Sequence, residues 1–219
     1  MHLVKNKKFE ALYKDSKLRY NLGYYPIPKD SCGSVAVDIG CNNGCFLQSY
    51  AHLFSKIHAY EANYFLVQKL KEKFDKNHIS IYHKAVSEKD DKKLKLLSHP
   101  SMEDGSFAIE KSNVRPDWEG QDFVCEVESI SLNSIMKKAG GYVGYMKIDC
   151  ETSEYELLIN KDLRNIEYLA LELHAQLGYE KYNELYDFIC QTHTPSQEVS
   201  FVENKHQELL FKKNKTNIK

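Results

Sequence analysis

The sequence predicts an α/β fold in which a mostly parallel sheet is covered by helices on both faces. Three apolar runs, at residues 35–39, 56–60 and 79–82, have the length and composition of buried strands. Asn63 is placed to cap the helix that follows it. Between the runs, apolar side chains recur at helical spacing, first at Phe46, Leu47, Tyr50, Ala51 and Phe54, then at Leu66, Val67, Leu70 and Phe74. Strands that alternate with helices are typical of a parallel sheet.

The second half of the chain extends this pattern. Residues 142–149 and 168–173 predict two more strands, and a helix follows the first of them. Residues 130–139 predict a helix that the glycine pair at 140–141 ends. A later helix has an apolar face formed by Tyr182, Leu185, Tyr186 and Ile189.

Two regions are less regular. Residues 87–125 mix glycine, proline, serine and charge, with a weak strand signal at 94–97, so we expect loops there, with a short hairpin at most. Near the end, residues 199–202 and 209–211 predict an antiparallel pair that closes the sheet.

Length and composition favour a single globular domain. The chain has 219 residues, of which 42% are hydrophobic and 28% charged, so it can bury a sizeable core. We divide it into an N-terminal cap or substrate segment at 1–34, an α/β core at 35–211 and a basic tail at 212–219. No internal repeat or linker divides the core.

Charge and hydropathy argue against nucleic-acid and membrane partners. The formal net charge is −1, so the chain as a whole offers no basic surface for a nucleic acid or an anionic membrane. No apolar stretch is long enough to cross a bilayer, and residues 1–8 lack the apolar run of a signal peptide. We therefore expect no membrane insertion and a cytoplasmic location.

The cysteines predict neither a disulfide scaffold nor a metal site. They are sparse for the length of the chain, at positions 32, 41, 45, 125, 150 and 190, so reduced thiols are expected. Cys41 and Cys45 lie four residues apart, but no second pair follows at zinc spacing. No metal is predicted from them.

A glycine-containing turn follows the first strand. Gly40 and Gly44 allow the backbone to approach a ligand, and Asn42 tolerates left-handed geometry. The spacing is neither the dinucleotide fingerprint nor a P-loop. Asp38, two residues before the first glycine, suits a cationic ligand such as S-adenosylmethionine better than a pyrophosphate. The alternative is a turn that uses glycine only for tight packing.

An acid also ends the second strand. Glu61 lies seventeen residues beyond Gly44, where a carboxylate can accept both hydroxyls of a ribose. The alternative is a surface glutamate that favours the start of the next helix through the helix dipole.

The run from Lys147 to Glu154 is the most unusual in the chain. Lys147, Asp149 and Glu151 alternate, so an extended backbone places them on one face. Charges in a parallel sheet are costly unless paired, and open α/β sheets bind ligands at the carboxyl ends of their strands. We interpret the run as part of a site; the alternative is a lysine paired internally with the two acids.

These segments together resemble the FkbM-type methyltransferases. The resemblance runs from about residue 35 to 174. It rests on two long motifs, Val-Asp-Ile-Gly-Cys-Asn-Asn-Gly at 37–44 and Lys-Ile-Asp-Cys-Glu-Thr-Ser-Glu-Tyr-Glu-Leu-Leu at 147–158. Shorter likenesses lie at Tyr60–Asn63, Lys84–Ser87, Gly105–Ser106 and Leu171–His174. One departure is Thr152-Ser153, where the family usually has Gly-Ala, so two hydroxyls can narrow the pocket or contact substrate.

The resemblance implies a Rossmann-like class I methyltransferase fold, a seven-stranded sheet with an antiparallel last strand. It implies S-adenosylmethionine as cofactor and O-methylation of a sugar, glycan or other small metabolite. Asp149 would lie near the transferred methyl. It implies that the methionine end of the cofactor is held by Asp38, Gly40, Asn42 and Gly44 and the ribose by Glu61. It also implies that the adenine lies near Ala85 and Val86.

The acceptor hydroxyl must also lose a proton. Asp149, Glu151 and His174 are the candidate bases, with Asp149 favoured because its strand end lies nearest the methyl. Aromatic residues of the N-terminal segment (Tyr20, Tyr24 and Tyr25), Trp118 and the loops at 98–122 and 174–180 are candidate substrate contacts, although ordinary packing of the aromatics is the default.

Three other functions remain open on the sequence. They are a non-catalytic cofactor-binding protein on the same fold, a nicotinamide-dependent oxidoreductase, which the glycine spacing disfavours, and an RNA methyltransferase, which the near-neutral charge disfavours. The acceptor, the metal dependence and the oligomeric state are likewise open.

Overall fold

The computed structural model describes residues 25–74, 78–98, 107–109, 122–197, 201–202 and 206–215. The strands are β1 (Val35–Ile39), β2 (Lys56–Glu61), β3 (Ile79–His83), β4 (Ala85–Val86), β5 (Lys93–Ser98), β6 (Phe107–Ile109), β7 (Asp122–Ile130), β8 (Val143–Ile148), β9 (Ile166–His174), β10 (His193–Pro195) and β11 (His206–Lys213). The α-helices are α1 (Cys45–Tyr50), α2 (Tyr64–Phe74), α3 (Leu132–Lys138), α4 (Glu154–Leu158) and α5 (Tyr179–Cys190). Across these ranges, no helix combines the length and the hydropathy that a membrane span requires.

Seven strands form the main sheet, in the order β3-β2-β1-β8-β9-β11-β10. The first five of these are parallel to one another. β11 runs antiparallel to both of its neighbours, β9 and β10. This arrangement confirms the predicted fold class, a seven-stranded, mostly parallel sheet with an antiparallel last strand.

Apolar clusters cover both faces of this sheet. On one face, Val37 and Ile39 of β1 pack in a cluster that includes side chains of α3 and α5, such as Ile135 and Leu185. On the other face, Ala36 belongs to a cluster formed with side chains of α1 and α2, including Phe46, Leu47, Leu70 and Phe74. The central strands β1 and β8 therefore bury both of their faces, which explains why they are continuous apolar runs.

The predicted ends of two helices are confirmed. The side chain of Asn63 accepts a hydrogen bond from the backbone N–H of Phe65 at 2.9 Å and so satisfies a donor at the start of α2. At the end of α3, Gly140 and Gly141 have φ values of 89° and 88°, which disfavour other residues.

The prediction of loops over residues 87–125 is wrong at 107–109 and 122–125, which lie in strands, whereas the weak strand signal at 94–97 falls within β5; residues 99–106 and 110–121 lie outside the described residues. β4, β7, β5 and β6 form a second sheet of four strands in that order, and β7 alone has nine residues. Leu96 pairs with Cys125 and Leu97 with Phe123, so Val124 is the extra residue of a β-bulge. The bulge interrupts the alternation of inward and outward side chains along β7, and the charged residues of β7 lower its hydropathy. The sequence pattern therefore does not predict a strand.

The closing antiparallel pair is also different from the prediction. β11 pairs with β10, at 193–195, and the described part of the predicted partner, Phe201 and Val202, is not in a strand. The remainder of that partner, residues 199–200, lies outside the described residues. β10 is a short edge strand that contains Pro195, and neither its length nor its polarity resembles a strand.

Candidate functional site

The turn after β1 is shaped by its glycines. Gly40 has φ +69°, and a Cβ atom there would collide with the backbone carbonyl of Asp149 at the end of β8. Gly44 has φ +79° and begins α1, and a Cβ atom there would collide with Leu70 and Phe74. Asn42 has a positive φ as well. The two glycines are therefore required by close approach and by backbone geometry.

A cleft of ≈ 620 Å³ opens between this turn and the ends of β2, β4 and β8. Five of the predicted cofactor residues line it: Gly40, Asn42, Glu61, Ala85 and Val86. Asp149 and Glu151 line its other end. Asp38, Gly44 and His174 are not among the lining residues. The glycine turn after β1 and the ends of β2 and β8, which the sequence predicts for the site, thus meet in one cavity.

The carboxylate of Glu61 accepts hydrogen bonds from the backbone of the glycine turn and from the backbone just before α2. One carboxylate oxygen accepts a hydrogen bond from the backbone N–H of Asn42, and the other accepts one from Asn63, both at 2.8 Å. Burial raises the pKa of Glu61, and the two backbone N–H groups oppose that shift. Each oxygen keeps a lone pair, because a carboxylate offers about four acceptor sites.

Asp38 lies beneath the glycine turn and forms an internal ion pair. Its side chain is fully buried, and Lys147, whose side chain is 5% exposed, places its Nζ 3.4 Å from Asp38 Oδ1. The same ammonium donates to the carbonyl of Gly40 at 2.8 Å and lies 3.6 Å from Asp149 Oδ2. Burial lowers the pKa of Lys147, but Asp38 and Asp149 outweigh burial and hold it well above its ordinary value. The charge of Asp38 is thus already matched within the protein.

His174 lies between two glutamates at the end of β9. Its Nδ1 is 3.1 Å from Glu154 Oε1, and its Nε2 is 3.5 Å from Glu151 Oε2. Burial lowers the pKa of His174, but Glu154 and Glu151 outweigh burial and raise it to about 10. The ring therefore holds both protons at neutral pH and is not available as a base.

Glu172 completes this group, although it is not among the residues that the sequence predicts for the site. It lies on β9 beside Asp149 of the adjacent strand. Burial and the Asp149 carboxylate raise the pKa of Glu172 to about 9. Burial also raises the pKa of Asp149, but Lys147 and the hydrogen bond from Glu172 hold it below its ordinary value. Glu172 and His174 are two residues apart at a strand end, and this was the signal that could have identified Glu172.

Thr152 and Ser153 stand where the FkbM-type family usually has Gly-Ala, and their two hydroxyls lie in different places. Ser153 lines the cleft, whereas Thr152 is buried, has φ 73° and donates its hydroxyl hydrogen bond to the backbone carbonyl of Glu151. Only Ser153 is placed to contact a ligand.

Of the candidate substrate contacts, Tyr25 packs in the apolar cluster of α1 and α2 and is not among the residues that line the cleft. Its ring centre is 5.4 Å from Lys147 Nζ, and the residue is 7% exposed. Burial raises its pKa. Tyr20, Tyr24, Trp118 and Gly105–Ser106 lie outside the described residues.

Comparison with known proteins gives a structural likeness and no sequence match. No family model matches the chain, and no curated protein matches it. The methyltransferase FkbM from Methylobacillus flagellatus KT superposes with a TM-score of 0.50 and 14% identity, over 83% of this chain and 44% of that one. This chain thus spans less than half the length of that protein.

Two further solved structures are more distant. The candidate methyltransferase SMU.1697c from Streptococcus mutans, solved in complex with SAH, has a TM-score of 0.44 and 11% identity, over 85% of this chain and 95% of that one. A candidate RNA methyltransferase, PH1948 from Pyrococcus horikoshii, has a TM-score of 0.45 and 9% identity, over 86% of this chain and 77% of that one. Together with the strand order, the likeness to the FkbM structure establishes that this chain has the class I methyltransferase fold.

Proposed function

We propose that this chain is an S-adenosylmethionine-dependent methyltransferase that O-methylates a sugar, glycan or other small metabolite. The observation that carries the proposal is the single cleft in which the Gly40 turn, Glu61 and Asp149 meet. The protein that shares its fold at a TM-score of 0.50 is described as a methyltransferase, which supports the same reaction class.

The residues of the cleft fit the proposed cofactor. Glu61 has acceptor capacity left for ribose hydroxyls. Asp149 and Glu151 provide negative charge for a sulfonium and an ammonium, a role that Asp38 does not need to fill. Apolar side chains that can contact an adenine line the wall formed by the end of β2 and by β4, β5 and β6, namely Ala62, Ala85, Val86, Leu96 and Ile109; Lys84 lines the cleft beside them.

The bound cofactor supplies a methyl group on a sulfonium sulfur, which is a good leaving group. The residues of the chain then have to hold an acceptor oxygen in line and receive its proton. Asp149 is our candidate base, because it lines the cleft and Lys147 keeps it ionised. His174 is already protonated, so it serves to position Glu151 and Glu154.

Methyl transfer from labelled S-adenosylmethionine tests this function. The acceptors are nucleotide sugars, free glycans, small phenols and RNA. We expect label in a hydroxyl compound, with turnover lowered about 100-fold or more in Asp149→Asn, the range for loss of a general base. Glu167→Gln, at the opposite end of β9, is the control and should keep wild-type turnover.

Other outcomes point to other functions. Label in RNA alone would favour the RNA methyltransferase alternative. Cofactor binding without transfer to any acceptor class would favour a non-catalytic binding protein. Wild-type turnover in Asp149→Asn would remove Asp149 as the base.

We also propose that the protein acts in the cytoplasm. The six cysteines all lie in described residues and form no disulfide bonds, as reduced thiols of a cytoplasmic protein would. Fractionation of the native host checks this location, and recovery in a secreted fraction would contradict it.

A further inference from the structure

Three potential metal ligands meet at the carboxyl ends of β8 and β9. One ligand atom each of Asp149, Glu172 and His174 lies within 4.8 Å of the others. An ion with bonds of about 2.1 Å would hold its ligand atoms about 3–4 Å apart. Side-chain rotations would bring the three together, because the strands that carry them are adjacent and hydrogen-bonded.

We propose that Asp149, Glu172 and His174 bind a divalent transition-metal cation. The proposal adds a metal to a chain whose cysteine spacing predicts none. The binding does not depend on the proposed methyl transfer; only its catalytic consequence rests on that function.

The orientation of His174 supports this assignment. Its Nδ1 faces Glu154 Oε1 at 3.1 Å, so Nδ1 can keep its hydrogen and Nε2 can face the ion. Histidine ligands of metals commonly donate their second N–H to a carboxylate in this way. Glu154 is well placed for that role, because its side chain is fully buried and its Oε1 also accepts from the backbone N–H of Cys150 at 3.2 Å.

Glu154 has a buried oxygen without a partner among the described side chains and backbone, which is a second, independent observation beside this cluster. Its second oxygen, Oε2, is buried and has no hydrogen-bond partner within the described residues. Such a carboxylate is costly unless nearby positive charge offsets it. The cluster of Asp149, Glu172 and His174 lies next to this carboxylate, because Nδ1 of His174 is 3.1 Å from its other oxygen.

The charge of the surroundings also favours a cation. Lys147 is occupied by Asp38, Asp149 and the carbonyl of Gly40. Glu151 lies 3.5 Å from Nε2 of His174 and can serve as a fourth ligand or hold a bound water. The carboxylates therefore outnumber the cations among the described side chains of this group.

The ligand set selects the type of ion. Two carboxylates and one imidazole suit Mn²⁺, Fe²⁺ or Zn²⁺, whereas Mg²⁺ and Ca²⁺ prefer oxygen ligands alone. Three protein ligands leave coordination positions open. If the chain is a methyltransferase, an acceptor oxygen could occupy one of them, and Asp149 would then act as a ligand in place of a base.

Mn²⁺ binding to the full chain tests the proposal directly. Free Mn²⁺ is counted by electron paramagnetic resonance during titration of metal-free protein. We expect one tight site, weakened at least about tenfold in Glu172→Gln and His174→Gln, and about 10–100-fold in Glu154→Gln, the range for an outer carboxylate. Glu167→Gln, an acid on β9 outside the group, should bind as the wild type does.

A second measurement avoids dependence on variants that fail to fold. Bound Mn²⁺ should broaden the ring protons of His174 in the wild type far more than those of His193 and His58. Absence of a site in the wild type, or equal affinity in Glu172→Gln and His174→Gln, would overturn the proposal. Titration of the same samples with S-adenosylmethionine separates the two claims, since Mn²⁺ binding without cofactor binding removes only the proposed function.

Discussion

At the scale of the residue, Lys147 connects the parts of the site. Its ammonium lies among Asp38, Asp149 and the carbonyl of Gly40, on the strand between β1 and β9. The alternative for this run is correct in part, because Lys147 pairs with one of its two acids, Asp149, and its other acidic partner is Asp38 of β1. The interpretation of the run as part of a site stays a prediction. Lys147 keeps Asp149 ionised at the cleft.

Removal of this lysine should destabilise the protein. Lys147→Met leaves the fully buried carboxylate of Asp38 without its counter-charge, and we expect a loss of about 3–5 kcal/mol in the free energy of unfolding. The double variant Asp38→Asn with Lys147→Met should recover part of that loss. Urea unfolding measures both values.

An exposed lysine provides the matched control. Lys181 lies 4.0 Å from Glu156 and is half-exposed, so Lys181→Met should cost less than about 1 kcal/mol. Equal stabilities for Lys147→Met and Lys181→Met would contradict the structural role of the buried pair.

At the scale of the element, the sequence predicts the strands of the main sheet better than the second sheet. Strands such as β1 and β8 are buried on both faces, so their apolar runs stand out. In β7 a bulge at Val124 instead breaks the alternation of polar and apolar residues, and its pairing with β5 depends on distant residues. Glu172 was missed for a related reason, since its role depends on which strand lies beside β9.

The edge strand β10 carries a buried histidine with a predictable effect of pH. His193 Nε2 lies 2.9 Å from the carbonyl of Ile166, and Nδ1 lies 2.8 Å from the hydroxyl of Thr192. Burial lowers the pKa of His193 below 6.5. As pH falls, the unfolded chain therefore takes up this proton before the folded chain does. The contribution of His193 to the free energy of unfolding is complete above about pH 6.5 and declines as pH falls toward the lowered pKa.

Thermal unfolding at several pH values measures this contribution. Between about pH 7.5 and pH 5 the wild type should lose more stability than His193→Gln, which does not titrate there. Thr194→Val, on the same strand with an exposed side chain, should follow the wild-type pH dependence. Parallel curves for the wild type and His193→Gln would show that His193 does not titrate differently in the folded state.

At the scale of the whole molecule, the strand order brings the site together. β8 is far from β1 and β2 in sequence, but β1 lies between β2 and β8 in the sheet, so the polar ends of the three strands converge on one edge. The alternation of strands and helices predicts this convergence, because parallel strands end on the same side. The apolar cavity wall contributed by the second sheet, through Leu96 and Ile109, could not be predicted in the same way.

Calorimetric titration of S-adenosylhomocysteine into the full chain tests whether this cleft binds the cofactor. We expect one binding site in the wild type, with affinity reduced more than about tenfold in Glu61→Ala, because that variant loses both the ribose acceptor and the bonds to Asn42 and Asn63. Glu167→Ala should bind as the wild type does. Absence of binding heat in the folded wild type across temperatures, or equal affinity in Glu61→Ala, would contradict the assignment of this cleft as the cofactor site.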